Sequence, residues 1–389
     1  MSDSIYDVLV IGAGINGRCA LFHLLERGVG RVGMIERFDL GHSRGSSHSH
    51  SRITRSAYVD AAYVRLMQVA HTQEWPRLEA AIGERLIHPN DGCFFGPAGG
   101  RFEQYAQAVT SVGVDCEVLD VNQARRQFPM FRFPTAAGAV HDRTSGVIAA
   151  ARTMAGLATD AERRGAVFHT GSRVVDIEPL SSGIRVVTID EDGNSRALMT
   201  ERLIVTAGPW TAKLLPWLAP RLKVARQTVG YFRLQGASQD FGVGRWPVWG
   251  NLGTDQDKKF YGLPSFGRDG IKLARHVTHD LDEDPDQISE KIAETAVAEL
   301  RQFLDTEFVP PVEAFLGAEH CHYTNTATED FLIDRHREDE RIVIGAGFSG
   351  HGFKFGPVTG RALAELACEG QVQTPEFEAM RSVFGVAPQ

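Results

Sequence analysis

The sequence predicts an α/β protein, a Rossmann-type dinucleotide-binding domain with an inserted α+β substrate domain built on an antiparallel sheet. Three observations carry this prediction. The chain opens on an apolar run followed by glycines in GxGxxG spacing, its middle alternates apolar and polar residues across turn signals, and a second glycine-rich loop, "IGAGFSG" at 344–350, stands near the C-terminus. At 389 residues the chain can build two domains or one large α/β domain with real cores. A net charge of −8 without a basic run argues against nucleic acid or a membrane surface as the main partner. No apolar stretch approaches the ~20 residues of a membrane-spanning helix. The expected partner is a small molecule.

The first element is "YDVLVIGAGINGRCALFHLLERG": a strand, then Gly12, Gly14 and Gly17, then a helix with Ala20, Leu21, Leu24 and Leu25 at helical spacing. Glycines there let the backbone approach a pyrophosphate at the helix N-terminus, where free N–H groups and the helix dipole favour negative charge. "RVGMIERF" follows as a second strand ending in Glu36, 24 positions after Gly12, a spacing that suits an acid bonding a ribose hydroxyl. The N-terminus enters this strand almost at once, without the charged and apolar regions of a secretory signal. Five scattered cysteines, Cys19, Cys93, Cys116, Cys321 and Cys368, show neither a disulfide framework nor zinc-ribbon spacing. A reducing, cytoplasmic location is expected.

In the middle, residues 173–210 alternate as a small antiparallel sheet would and end in the apolar strand of "LIVTAGPW". "AARTMAGLATDAERRGA" and "QISEKIAETAVAELRQFL" are amphipathic helices by spacing. Segments 86–145 and 216–320 hold the aromatic-rich strands "QTVGYFRL" and "KKFYGLPSF" and are expected to form the inserted substrate domain roofing a pocket. Residues 1–85, 146–215 and 321–389 are left for the dinucleotide domain. Near the C-terminus, Gly345, Gly347 and Gly350 repeat the glycine spacing but lack a following strand with a ribose acid. They are better read as a strand and loop closing the first sheet, after which Pro357 opens the helix "PVTGRALAELACEG". A front Rossmann unit completed by such a C-terminal unit is a common way of enclosing FAD.

Three short stretches carry candidate chemistry. In "AEHCHYTNT" (318–326) Cys321 lies between two histidines; in an extended chain His320 and His322 point away from it, so one metal ion would struggle to gather all three. No metal is expected, which leaves a buried thiol or a covalent anchor. "GSSHSHSRITR" (45–55) places His48 and His50 on a glycine-serine loop with no third ligand nearby, and Arg52 and Arg55 after it. "GIKLARH" alternates as a strand with Lys272, Ala274 and His276 on one side; a lysine there is costly unless its charge is used, and Lys272 and His276, ~13 Å apart at ~3.3 Å per residue, cannot share one task.

Nearly end to end, the sequence resembles the flavin amine oxidases of the D-amino-acid-oxidase superfamily, in particular the monomeric sarcosine oxidase and N-methyltryptophan oxidase group. The carriers are "VIGAGINGRCA", "GSSHSHSRITRSAY", "FYGLPSFGRDGIKLARH", "CHYTNTATEDFLID" and "GAGFSGHGFKFGP". The resemblance implies FAD, held by Gly12, Gly14, Gly17, Glu36, Gly350, Gly352 and Lys354 and joined by a thioether to Cys321. It places His48 and Arg52 beside the flavin and substrate, Arg55 and Lys354 on a substrate carboxylate, His276, Tyr261 and Tyr323 in the pocket wall, and Lys272 at the site of dioxygen activation, where a fixed cation stabilises superoxide. His50, Ser49 and Ser51 depart from the commoner acidic or glycine residues of their loop, which leaves substrate size open. The implied activity is oxidation of a small secondary-amine amino acid, N-methylated or cyclic, to an imine, with dioxygen reduced to hydrogen peroxide by a monomeric enzyme. The alternatives are a dehydrogenase of the same fold and a flavin-binding module without turnover.

Overall fold

The computed structural model describes residues 5–253, 259–276, 283–287 and 291–385. Its first sheet is organised around Tyr6–Ile11, a strand buried along almost its whole length. Val32–Ile35 pairs with it in parallel on one side, and the C-terminal half of Ser195–Val205 on the other. Val167–His169 extends the sheet beyond Val32–Ile35. Ile342–Ala346 extends it in parallel beyond Ser195–Val205, so the C-terminal unit closes the first sheet as the sequence predicts.

Ser195–Val205 changes character along its length. Its last residues are apolar and buried, as a strand between covered neighbours requires, while Ser195–Thr200 pairs antiparallel with Gly183–Ile189 and alternates in exposure. Gly183–Ile189 pairs in turn with Arg173–Leu180. The predicted small antiparallel sheet therefore grows from one strand shared with the dinucleotide unit. The helices Ile15–Glu26, Ala150–Arg163 and Gly356–Glu369 also form where their periodicity predicts. The helix expected over 287–304 is described as Glu294–Glu307, and its expected start at residues 288–290 lies outside the described residues.

The second sheet has eight strands in the order Val312–Asn325, Lys223–Leu234, Ile271–Arg275, Phe260–Leu263, Val248–Asn251, Gly92–Gly96, Gly138–Asp142, Cys116–Asp120. All neighbours are antiparallel except Val248–Asn251 against Gly92–Gly96, a parallel pair where the two chain segments 86–145 and 216–320 meet. A purely antiparallel sheet is thus not what forms. The strand Val312–Asn325 runs without a break across the boundary expected between 320 and 321, which places Cys321 on this sheet rather than on the Rossmann sheet. A third, three-stranded sheet joins Ser51–Thr54, Gly146–Ala149 and Ile87–Pro89 and carries Arg52. Behind the second sheet lies an aromatic core that includes Phe131, Trp246, Trp249 and Phe308, which stiffens the surface bearing Lys272.

Candidate active site

One cavity of about 1080 Å³ runs from the glycine turn of the first sheet to the face of the second. Gly12 and Gly14 line one end with Glu36; Lys272, Cys321, Tyr261 and His276 line the other. The turn has no room for side chains at Gly12 and Gly17. Gly12 sits at φ +94°, and a Cβ on Gly17 would lie 2.0 Å from the Gly12 carbonyl oxygen. Gly17 is not part of the cavity wall; it lets the helix start tightly against the turn. The Glu36 carboxylate accepts from the backbone N–H groups of Ala13 at 2.8 Å and Phe38 at 3.0 Å, which fixes it at the cavity edge. It titrates below the usual carboxylate range: burial opposes this, and is outweighed by bonds from His42, Ala13 and Phe38.

At the other end the loop 45–51 brings its side chains beside the second sheet. Lys272, 4% exposed, donates to Ser49 Oγ at 2.8 Å and to the Ser51 carbonyl at 3.1 Å, and lies 3.6 Å from a Glu319 oxygen. Burial, then the Arg52 charge, pushes its pKa down to about 7, against the pull of Glu319. Arg52 donates to the carbonyls of Ser51 and Ser46, both at 2.9 Å, and reaches Cys321 Sγ at 3.9 Å. The buried Cys321 thiol lies 3.8 Å from the Ser46 carbonyl. His48 stays neutral at pH 7, its pKa pushed to about 4 by burial and the Arg52 charge, and its Nε2 is buried without a hydrogen-bond partner.

A second pair of cations faces the cavity from elsewhere. The Arg55 guanidinium is sandwiched by aromatic rings, its centre 4.1 Å from that of Tyr58 and 5.1 Å from that of Phe94, and it donates to the Ala57 carbonyl. Lys354 is 7% exposed and donates to the His351 carbonyl at 3.1 Å. Burial, then the charges of Arg55 and Arg52, drives its pKa well below the ordinary lysine value. Neither Arg55 nor Lys354 is paired with a carboxylate among the described residues.

The remaining wall is aromatic. Tyr261 and Tyr323 share a hydrogen bond of 3.0 Å between their hydroxyls, and a Cβ on Gly350 would lie 2.2 Å from the Tyr323 ring, so loop and ring are in close contact. His276 packs at 5.4 Å from Tyr323 and lies 3.5 Å from a Glu329 oxygen. Gly350, Gly352 and Lys354 all line the cavity. The histidines flanking Cys321 bond carbonyls instead of gathering round a metal: His322 Nδ1 is 3.0 Å from the Arg44 oxygen and His320 Nε2 is 3.3 Å from that of Lys291. Among the described residues no group of three or more His, Cys, Asp or Glu side chains is arranged to hold a metal ion.

The profile of the FAD dependent oxidoreductases (DAO) matches residues 7–366. The chain is 34% identical to the peroxisomal sarcosine oxidase of Homo sapiens, over 96% of this chain and 94% of that protein. It is 32% identical to the monomeric sarcosine oxidase of a Bacillus species, over 95% of this chain and 93% of that one. The chain belongs to the sarcosine oxidase family of FAD-dependent oxidoreductases. The solved structure of NikD, an unusual amino acid oxidase essential for nikkomycin biosynthesis, shares the fold with a TM-score of 0.82 at 24% identity, covering 99% of this chain and 98% of NikD. Among the described residues no helix is long and apolar enough to cross a membrane.

FAD, the cofactor of the sarcosine oxidase family, suits what the cavity offers: a glycine turn that Cβ atoms would fill, a fixed acid one strand away, the partnerless His48 Nε2 and a buried thiol at the far end. Sequence reasoning missed Glu319, Glu329, Tyr58, Tyr105 and Tyr231. Glu329 held a faint signal in standing between Thr328 and Asp330 after "CHYTNT". Glu319 and Tyr231 act through contacts made across the folded second sheet, and Tyr58 and Tyr105, from a loop and the helix Arg101–Val112, through their packing on Arg55.

Proposed function

We propose that the protein oxidises a small secondary-amine amino acid, N-methylated or cyclic, to the imine, with dioxygen reduced to hydrogen peroxide. The carrying observation is the pair Arg55 and Lys354, a half-buried and a buried cation that face one cavity and have no carboxylate partner among the described residues. Two like charges in a partly dry pocket are poor neighbours until an anion lies between them. Burial first, and then the charges of Arg55 and Arg52, lower the pKa of Lys354. A substrate carboxylate would relieve the repulsion and would be held in a fixed direction by the arginine fork.

FAD, when bound, supplies the acceptor for the two electrons of the amine and passes them to dioxygen. Gly12, Gly14 and Glu36 would hold its nucleotide end, with Gly17 setting the turn; Gly350, Gly352 and Lys354 would close over it, and Cys321 would be its covalent anchor. His48 and Arg52 flank that anchor. Lys272 provides the fixed cation for dioxygen. Tyr261 and Tyr323 shape the pocket, and His276, its pKa lowered by burial, is placed to accept the proton an ammonium substrate must lose. The protein's own share is positioning and electrostatics. The reading takes residues 1–85, 146–215 and 321–389 as the FAD-binding part and 86–145 and 216–320 as the substrate part, with 321–325 shared because the strand Val312–Asn325 lies in the second sheet, and the enzyme as monomeric and cytoplasmic.

A peroxide assay over N-methyl amino acids, proline and pipecolate tests the proposal. Peroxide from at least one is expected. Silence on all of them from flavin-loaded protein would point to a flavin-binding module, and substrate-driven bleaching of the flavin without peroxide would point to a dehydrogenase. The anchor is checked separately by acid precipitation: the yellow colour stays with the pellet if Cys321 carries the flavin and leaves with the supernatant if it does not.

A further inference from the structure

Glu319 stands two residues before Cys321 on the strand Val312–Asn325, in a cavity whose other charged groups near Lys272 are cationic. Lys272 has three N–H donors; two are taken at 2.8 and 3.1 Å by Ser49 Oγ and the Ser51 carbonyl, and Glu319, at 3.6 Å, is the one carboxylate near the third among the described residues. The carboxylate is itself fixed. Tyr231, on the neighbouring strand Lys223–Leu234 and directly opposite Lys272 in the sheet, donates to Glu319 at 2.7 Å and sits 3.1 Å from Ser49 Oγ. Arg268 packs over the Tyr231 ring at 4.0 Å. Ser49 takes φ +81°, a backbone conformation seldom adopted by residues other than glycine, and this turns its hydroxyl between lysine and tyrosine. The result is a closed ring of four side chains, Lys272, Ser49, Tyr231 and Glu319, of which Lys272, Ser49 and Glu319 line the cavity.

We propose that Glu319, clamped by Tyr231, is the positioning residue that keeps Lys272 an ammonium inside the cavity, so that the lysine's role depends on a carboxylate as much as on the lysine itself. The inference rests on the assignment of Lys272 to dioxygen. The groups facing Lys272 are Arg52 from the strand Ser51–Thr54, His48 from the loop before it, Tyr231 from the adjacent strand, and Glu319 and Cys321 from Val312–Asn325. Of these, Arg52 and burial oppose its charge, and Glu319 is the largest influence in favour. Glu319 stays ionised throughout the working range, held down to about 2 chiefly by Lys272 against its own burial. Taking its charge away leaves the ammonium facing Arg52 alone, so the proton is lost at lower pH.

The test uses the flavin-loaded enzyme, photoreduced without substrate and mixed with air-saturated buffer between pH 6 and 9, for the wild type, Glu319→Gln, Tyr231→Phe and Lys272→Met. The wild type is expected to lose reoxidation rate as Lys272 deprotonates. Glu319→Gln should move that limb down by on the order of one pH unit, making reoxidation about tenfold slower at high pH and converging on the wild type at low pH. Tyr231→Phe should shift it the same way by less, which keeps the test alive should Glu319→Gln fold poorly. Labelling of lysine at Cε with ¹³C reads the charge without turnover: the resonance absent from Lys272→Met should titrate at lower pH in Glu319→Gln. An unshifted resonance and limb, with Lys272→Met still slow, would overturn the role of Glu319 alone. A Lys272→Met enzyme that reoxidises at the wild-type rate would instead overturn the assignment of Lys272 beneath it.

Discussion

In the proposed reading the two ends of the cavity recognise their ligands by opposite means. At the proposed nucleotide end the turn itself presents backbone: Gly12 and Gly14, a helix beginning at Ile15, and Glu36, whose oxygens are already engaged by backbone N–H groups. At the other end it is side chains, with Lys272 and Lys354 buried, Arg52 and Arg55 half-buried, and tyrosines and histidines among them. The first end selects by the space it leaves, the second by unbalanced charge. Damage at the first should therefore be steric and all-or-none, and damage at the second graded and dependent on pH and substrate.

The largest effect is expected at the first end. Gly17→Val places carbon atoms against the Gly12 carbonyl, where a Cβ alone would already lie 2.0 Å away. Purified protein should carry essentially no flavin, read from the ratio of visible to protein absorbance. Gly14→Ala, whose Cβ meets only the Ser47 hydroxyl at 3.2 Å, should keep most of it. Equal loss in both, or retention in both, would erase the steric account.

The second end should respond by degrees. Lys272→Met removes the cation and should slow reoxidation by air about 100- to 1000-fold, while anaerobic reduction by substrate changes far less. Stopped-flow absorbance separates the two, and a larger effect on reduction would move Lys272 to the amine.

A smaller effect tests Lys354. Its pKa lies well below the ordinary lysine value because of burial and the charges of Arg55 and Arg52, and a bound carboxylate would raise it. Binding of an unreactive carboxylate should take up a proton, and affinity should fall as pH rises, by at most about tenfold per unit. Calorimetry in two buffers of different ionisation heat counts the proton. Proton release on binding would show that the anion sits elsewhere.

The same contrast explains what the sequence disclosed. The nucleotide end is built from residues adjacent in the chain, so strand, Gly12, Gly14, Gly17, helix and Glu36 announce themselves by spacing; the closing strand Ile342–Ala346 and its loop do so too. The alternation of "GIKLARH" put Lys272 and His276 on one side of a strand, and both line the cavity. Glu319, Tyr231 and Glu329 gave no comparable signal, because their importance comes from contacts between segments far apart in the chain: Tyr231 opposes Lys272 across 41 positions of sequence, and Glu329 in a bend meets Lys259 and His276. The parallel pair of Val248–Asn251 and Gly92–Gly96 was hidden for the same reason, since alternation within a strand does not reveal its neighbour's direction.

The central claim is that Arg55 and Lys354 exist for a carboxylate. Its most direct measurement is kcat/KM of wild type and Arg55→Ala on an N-methyl amino acid and on the matching amine that lacks the acid. Losing one such charged contact costs about 2–5 kcal/mol, or roughly 30- to several thousand-fold in kcat/KM. That loss should fall on the amino acid and largely spare the amine. Equal losses on both substrates, or a wild-type preference for the amine, would show that the two cations serve the flavin or the fold.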